Sequence, residues 1–206
     1  VRDSAVALAA QLEIKDVVPT LQQMLADTKS DETTRVSAFK ALSTLSDDID
    51  RLLADGSADE SEAVRIAALE LLAQSRPEDA VAELLTAVEK GSLKAQQRSL
   101  FLLGQIKSAT SIAALTKTFD ALNTGSLPAA AILDLLNAAE STGDSTLQAS
   151  VAAYRAANAK DGDKVSEWSE CMEGGDLENG KTIFFGRASA SCRRCHKVNG
   201  NGADVG

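Results

Sequence analysis

Apolar positions recur through the first three quarters of the chain with a helical period, and no stretch alternates as a strand would. Arg2-x-x-Ala5, Arg35-x-x-Ala38 and Arg65-x-x-Ala68 stand at similar offsets, followed by leucine-rich positions such as Leu42 and Leu45, then Leu69, Leu71 and Leu72. Further copies are Leu100-Phe101-Leu102-Leu103-Gly104-Gln105 and Leu133-Asp134-Leu135-Leu136-Asn137. Their spacing of about 30 to 35 residues is the period of stacked helix pairs. The second helix of each pair is predicted at 17–27, 48–54, 78–89, 111–122 and 145–157.

Punctuation between these segments agrees with that reading. Asp59-x-x-Glu62 and Ser75-x-x-Glu78 have the form of capping boxes, and Pro77 is tolerated in a first helical turn. Gly56, Gly91, Gly125 and Gly143 are expected between helices. An aromatic share of 3% beside abundant Ala and Leu suits close helix stacking, in which small residues admit a neighbour and Leu fills the groove. Asp59 with Val64-Arg65-Ile66-Ala67-Ala68-Leu69-Glu70-Leu71-Leu72 resembles the HEAT repeat pattern, an Asp before Val-Arg-x-Ala-x-x-x-Leu. The resemblance implies a scaffold with no chemistry of its own.

The chemistry lies in the tail. Cys192-Arg193-Arg194-Cys195-His196 places two thiols three positions apart with an imidazole directly after, the c-type haem attachment pattern. Random placement of the chain's three Cys and one His would give it with odds of roughly 10⁻⁴. Two other chemistries share these residues. Cys171, Cys192, Cys195 and His196 could form a Cys3His zinc site, although adjacent Cys195 and His196 meet awkwardly on one tetrahedral ion. A thiol redox pair would need a strand before it and a helix N-terminus at the first thiol, and 187–191 reads as a loop. Cys171 itself reads as a small buried apolar residue.

Residues 175–185 predict a short helix, with Asp176 to cap it, Gly180 to allow close approach and Phe184 one turn later on the same face. Residues 197–206 are glycine-rich and turn-forming, as for a chain folding around a flat group. Gly175-Asp176-x-x-x-Gly180-x-x-x-Phe184-Phe185, then Cys-x-Arg-Cys-His-Lys-Val-x-Gly-x-Gly-x-x-Val-Gly, resembles the haem-binding cytochrome c domain of planctomycete and verrucomicrobial multidomain proteins. In that family the domain follows HEAT-like repeats and serves dehydrogenase-associated proteins. The resemblance implies one covalent haem c per chain, with Cys192 and Cys195 as thioether anchors, His196 as proximal iron ligand and Phe184 packed beside the ring. It also implies an upstream dehydrogenase domain or redox partner protein, and a periplasmic home. The distal ligand is not carried over: a Gly-Pro-x-Leu stretch and a methionine are expected after Gly206, so the chain is expected to be a piece of a longer protein. Met24 and Met172 are set aside as distal ligands.

The expected fold is therefore all-α. Residues 1–160 form a HEAT/armadillo-like α-solenoid of about five helix pairs, 161–174 a linker, and 175–206 the truncated start of a class I-like cytochrome c domain, too small to close a core alone. A net charge of −9 and the lack of a basic stripe argue against nucleic acid. Arg193, Arg194 and Lys197 are a local positive cluster that would steer an acidic partner, hold a haem propionate, or sit solvated. No apolar run is long enough to span a membrane. His196 is the sole histidine, so no triad or His-based hydrolase stands beside the haem reading, and acids such as Asp47, Asp48, Asp50, Glu167 and Glu170 read as caps and solvated faces. No catalytic residue is assigned. Three functions remain open at this point: electron transfer through a haem carried on a helical scaffold, a protein-interaction scaffold whose Cys motif is vestigial or binds zinc, and a haem with an open distal side that binds a small ligand.

Overall fold

The computed structural model describes residues 2–160, 163, 165–175 and 177–205. Among the described residues up to 158 there are ten α-helices: α1 Arg2–Gln11, α2 Val18–Ala26, α3 Glu32–Leu45, α4 Ile49–Ser57, α5 Glu62–Ser75, α6 Pro77–Lys90, α7 Leu93–Ile106, α8 Ala109–Asn123, α9 Ile132–Thr142 and α10 Ser145–Asn158. Several starts are fixed by a side-chain cap. The Asp31 carboxylate accepts from Thr34 N at 2.9 Å to begin α3, Asp48 accepts from Arg51 N to begin α4, and Asp144 accepts from Thr146 N and Leu147 N to begin α10. Ser108 and Ser111 cap α8 reciprocally.

Neither of the two expected capping boxes forms. Helix α5 begins after Ser61, whose side chain makes no cap; Asp59 instead accepts from Ser61 N at 2.8 Å and from Arg35 at 2.7 Å. Ser75 is the last residue of α5, its hydroxyl donating to the Leu71 carbonyl, and α6 opens on Pro77 without a side-chain cap. Gly91 and Gly143 do cap α6 and α9, and Gly125 follows α8. Gly56 is not a break: it lies inside α4, where a Cβ would collide with the Phe39 ring and the Ala68 methyl.

From α2 onward successive helices pack on each other, and the odd-numbered ones also pack in order, α1 on α3, α3 on α5, α5 on α7 and α7 on α9. The interior is two apolar clusters. Val6, Leu21, Phe39, Leu42, Leu45 and Leu52 belong to one, and Leu84, Leu100, Leu103, Leu115, Leu135 and Leu136 to the other. Helix α5 serves both, sending Val64 and Ala67 to the first and Leu69 and Leu72 to the second. Each fully buried leucine contributes roughly 1.5–3 kcal/mol. Small residues set the helix spacing: a Cβ at Gly104 would lie 2.8 Å from the Ala138 carbonyl oxygen, so α7 and α9 touch backbone to backbone there.

The stretch expected as a linker carries a 3-10 turn, Ser166–Cys171, docked against α9 and α10. Ser166 and Glu170 are buried in it, Ser166 accepting from Lys160 N at 2.8 Å and Glu170 accepting from Arg155 at 3.1 Å. Cys171, read from the sequence as buried, is exposed, because the acidic neighbour takes the inward place. The chain is all-α with almost no sheet, and among the described residues no helix is long and apolar enough to cross a membrane.

Candidate functional site

Helix α11, Leu177–Gly186, brings Phe184 and Phe185 to its last turn, where their rings meet edge to face at 4.9 Å between centroids. The cap assigned to Asp176 lies outside the described residues. Gly180 admits no close approach, since a Cβ there would meet nothing within 4 Å. After α11 the chain turns at Arg187, whose carbonyl accepts from Ala190 N, and passes through Ser191 in the left-handed region at φ 51°. That reversal aims the next residues back along the aromatic pair.

Cys192–Arg194 then form a 3-10 turn. The Cys192 carbonyl accepts from Cys195 N at 3.2 Å and from His196 N at 2.9 Å, so both sulfurs and the imidazole hang from one turn of backbone. Cys192 is half-buried, Cys195 and His196 are exposed, and no cysteine is in a disulfide. Beyond them, the strands β1, Lys197–Val198, and β2, Asn201–Gly202, pair in register Lys197↔Gly202 and Val198↔Asn201. The sequence showed no alternating run there, but Asn199 and Gly200 at φ 49° and 80° make the two-residue loop of a tight hairpin. Ala203 N donates to the Arg193 carbonyl at 3.0 Å, folding the hairpin back onto the cysteine turn.

These elements enclose a cleft of about 580 Å³ walled by Phe184, Phe185, Arg187, Cys192, Arg193 and Arg194. Of the residues singled out from sequence, Phe184, Cys192, Arg193 and Arg194 line it, while Cys195 and His196 share the turn but stand outside the lining. Phe185 and Arg187 were missed as site residues. Phe185 was visible as the second half of an aromatic pair; Arg187 carries no sequence signal, because its place depends on the Ser191 reversal. Of the positive cluster, Lys197 is held by Asp204 at 2.8 Å, and Arg193 lies over the Phe185 ring at 5.7 Å.

The zinc arrangement is not assembled. Cys171 sits in the segment docked on α9 and α10, and among the described residues no three His, Cys, Asp or Glu side chains converge to hold a metal ion. A thioredoxin-like pair has no support either, since a turn precedes Cys192 and only three residues of 3-10 helix follow. Among residues 179–205 none is buried, so the cleft is built on a surface and not on a core. Compared with protein-family models, curated proteins and solved structures, the chain matches none.

Proposed function

We propose that this chain is the scaffold and attachment segment of a periplasmic electron-transfer protein carrying one c-type haem. In this reading residues 1–160 are a HEAT-like α-solenoid, and 175–206 begin a class I-like cytochrome c domain of the planctomycete and verrucomicrobial type that the sequence resembles. Cys192 and Cys195 are the thioether anchors, His196 the proximal ligand, and a dehydrogenase domain or redox protein the partner. The observation that carries the reading is the single backbone turn on which two free thiols and the imidazole stand, beside an aromatic-walled cleft.

The residues fit the group. Two sulfurs and one ring nitrogen are the donor set that covalent haem attachment requires. The cleft volume falls within the range of about 300–1,000 Å³ typical of cofactor sites. Phe184 and Phe185 supply an apolar wall that excludes water from one side of a flat ligand. When bound, the haem supplies a one-electron iron couple. The docked turn Ser166–Cys171 fixes where the tail leaves the helices, and the helices orient it toward a partner.

Producing the chain in cells that mature c-type cytochromes tests this. The expected result is a polypeptide heavier by one haem, with sharp visible bands on reduction that Cys192→Ser/Cys195→Ser abolishes. A mass equal to the amino acids alone would leave only the interaction scaffold, and rapid carbon monoxide binding by the reduced, complete protein would move the reading to a small-ligand site.

A further inference from the structure

Between α6, α7 and α8 lies a small cavity of about 150 Å³ that shares no residue with the Phe184–Phe185 cleft. Leu85 and Val88 of α6, Ala121 of α8 and Leu127 just beyond α8 supply apolar walls. Glu89 and Lys117, both exposed, line its outer side and neutralise each other in an ion pair at 2.7 Å. No other charged side chain lines the cavity, so it carries no uncompensated charge.

Two polar side chains line it from the buried side. Thr118 is 3% exposed, and its hydroxyl donates to the Ala114 carbonyl at 3.0 Å, which leaves its oxygen lone pairs to accept. Gln96 is 8% exposed, and its Oε1 has no hydrogen-bond partner. Buried amides without a partner are rare, because such a group gives up its hydration for nothing in return. A half-turn about the terminal torsion exchanges the two ends of the amide, so Gln96 can offer either its carbonyl or its N–H to an occupant.

Size, charge and polarity together define that occupant. A cavity of this volume holds about a benzene-sized molecule. An ion would give up its hydration without meeting a free counter-charge. A hydroxyl accepts from the Gln96 N–H while donating to Thr118 Oγ1, or donates to the Gln96 carbonyl, and so satisfies the amide in either orientation. Water offers the same groups but leaves the leucine and valine walls without an apolar neighbour.

We infer that this cavity is a binding site for a small uncharged ring bearing one hydroxyl, a molecule of the size of phenol. Gln96 recognises the hydroxyl and Thr118 accepts its proton in a hydrogen bond. The site is independent of the haem reading.

The whole chain is titrated with para-fluorophenol and with fluorobenzene, following the fluorine NMR signal of each probe. The phenol is expected to bind about tenfold more tightly or better, although the more apolar fluorobenzene would lead in a site without polar groups. Gln96→Leu and Gln96→Met are each expected to remove or reverse that preference while fluorobenzene still binds. Ala121→Leu is expected to abolish binding of both probes by filling the cavity, and Gln148→Leu, exposed on α10, to change nothing. Unchanged helicity by circular dichroism excludes unfolding as the cause. Equal affinities, a preference that persists in both Gln96 variants, or undiminished binding in Ala121→Leu overturns the site. No saturable binding of the phenol overturns it too and leaves water as the occupant.

Discussion

Arg35 reaches the carboxylate of Asp59 at 2.7 Å with its side chain only 5% exposed, and its Nε donates to the Leu25 carbonyl at 2.9 Å. One guanidinium therefore joins the end of α2, the start of α3 and the turn before α5. Arg35→Ala removes the ion-pair partner of the Asp59 carboxylate in a largely desolvated place. Breaking such a pair from one side costs about 3–5 kcal/mol, so the urea midpoint is expected to fall steeply with the slope unchanged.

Gly104 and Gly180 separate close packing from open space. Gly104→Ala sets a methyl 2.5 Å from the Ser141 hydroxyl and 2.8 Å from the Ala138 backbone. Backbone cannot retreat as a side chain can, so overpacking of about 1–3 kcal/mol outweighs the roughly 1 kcal/mol gained in helix propensity. Thermal melting of the helices is expected to fall in Gly104→Ala and not in Gly180→Ala, where the methyl meets nothing and the propensity gain is unopposed.

Burial raises the Asp134 carboxyl above the ordinary aspartate range, against the opposing hydrogen bond from Gln97 at 3.0 Å. A raised folded-state pKa means that the native state holds the proton more tightly, so this group's contribution to stability falls as pH rises through the unfolded value of about 3.9 toward the folded one. Asp134→Asn keeps an acceptor for Gln97 and has no charge to desolvate. It is expected to be more stable than the parent at neutral pH and to lose the advantage near pH 3, as read by denaturant unfolding at each pH.

Arg155 donates to Glu140 at 2.6 Å and to Glu170 at 3.1 Å, the latter nearly fully buried. Arg155→Ala leaves Glu170 without its cation, and the 3-10 turn Ser166–Cys171 is expected to undock. Hydrogen exchange at the amides of that turn should accelerate while exchange in α5 and α7 stays as in the parent.

The leucines at 42, 45, 100, 103, 135 and 136 are legible in the sequence because burial on one helix face repeats every three or four residues, and all six are buried. Asp59 is not, since a local cap and a distant ion pair use the same carboxylate, and the choice is made by Arg35, 24 positions away. Gly56 looks like a break until Phe39 and Ala68 occupy the space a side chain would need. At the site, spacing alone brings Cys192, Cys195 and His196 onto one turn. The entry of Arg187 and Ala203 depends on left-handed backbone at Ser191 and on the Asn199-Gly200 loop, which no single residue announces.

Cys195 and His196 remain at the surface after the helices have closed around their leucines. Under the proposed reading this sets the timetable of biogenesis. The large domain can complete its own folding after export while the thiols stay open to a maturation enzyme, so slow cofactor supply delays activity without stranding a misfolded intermediate.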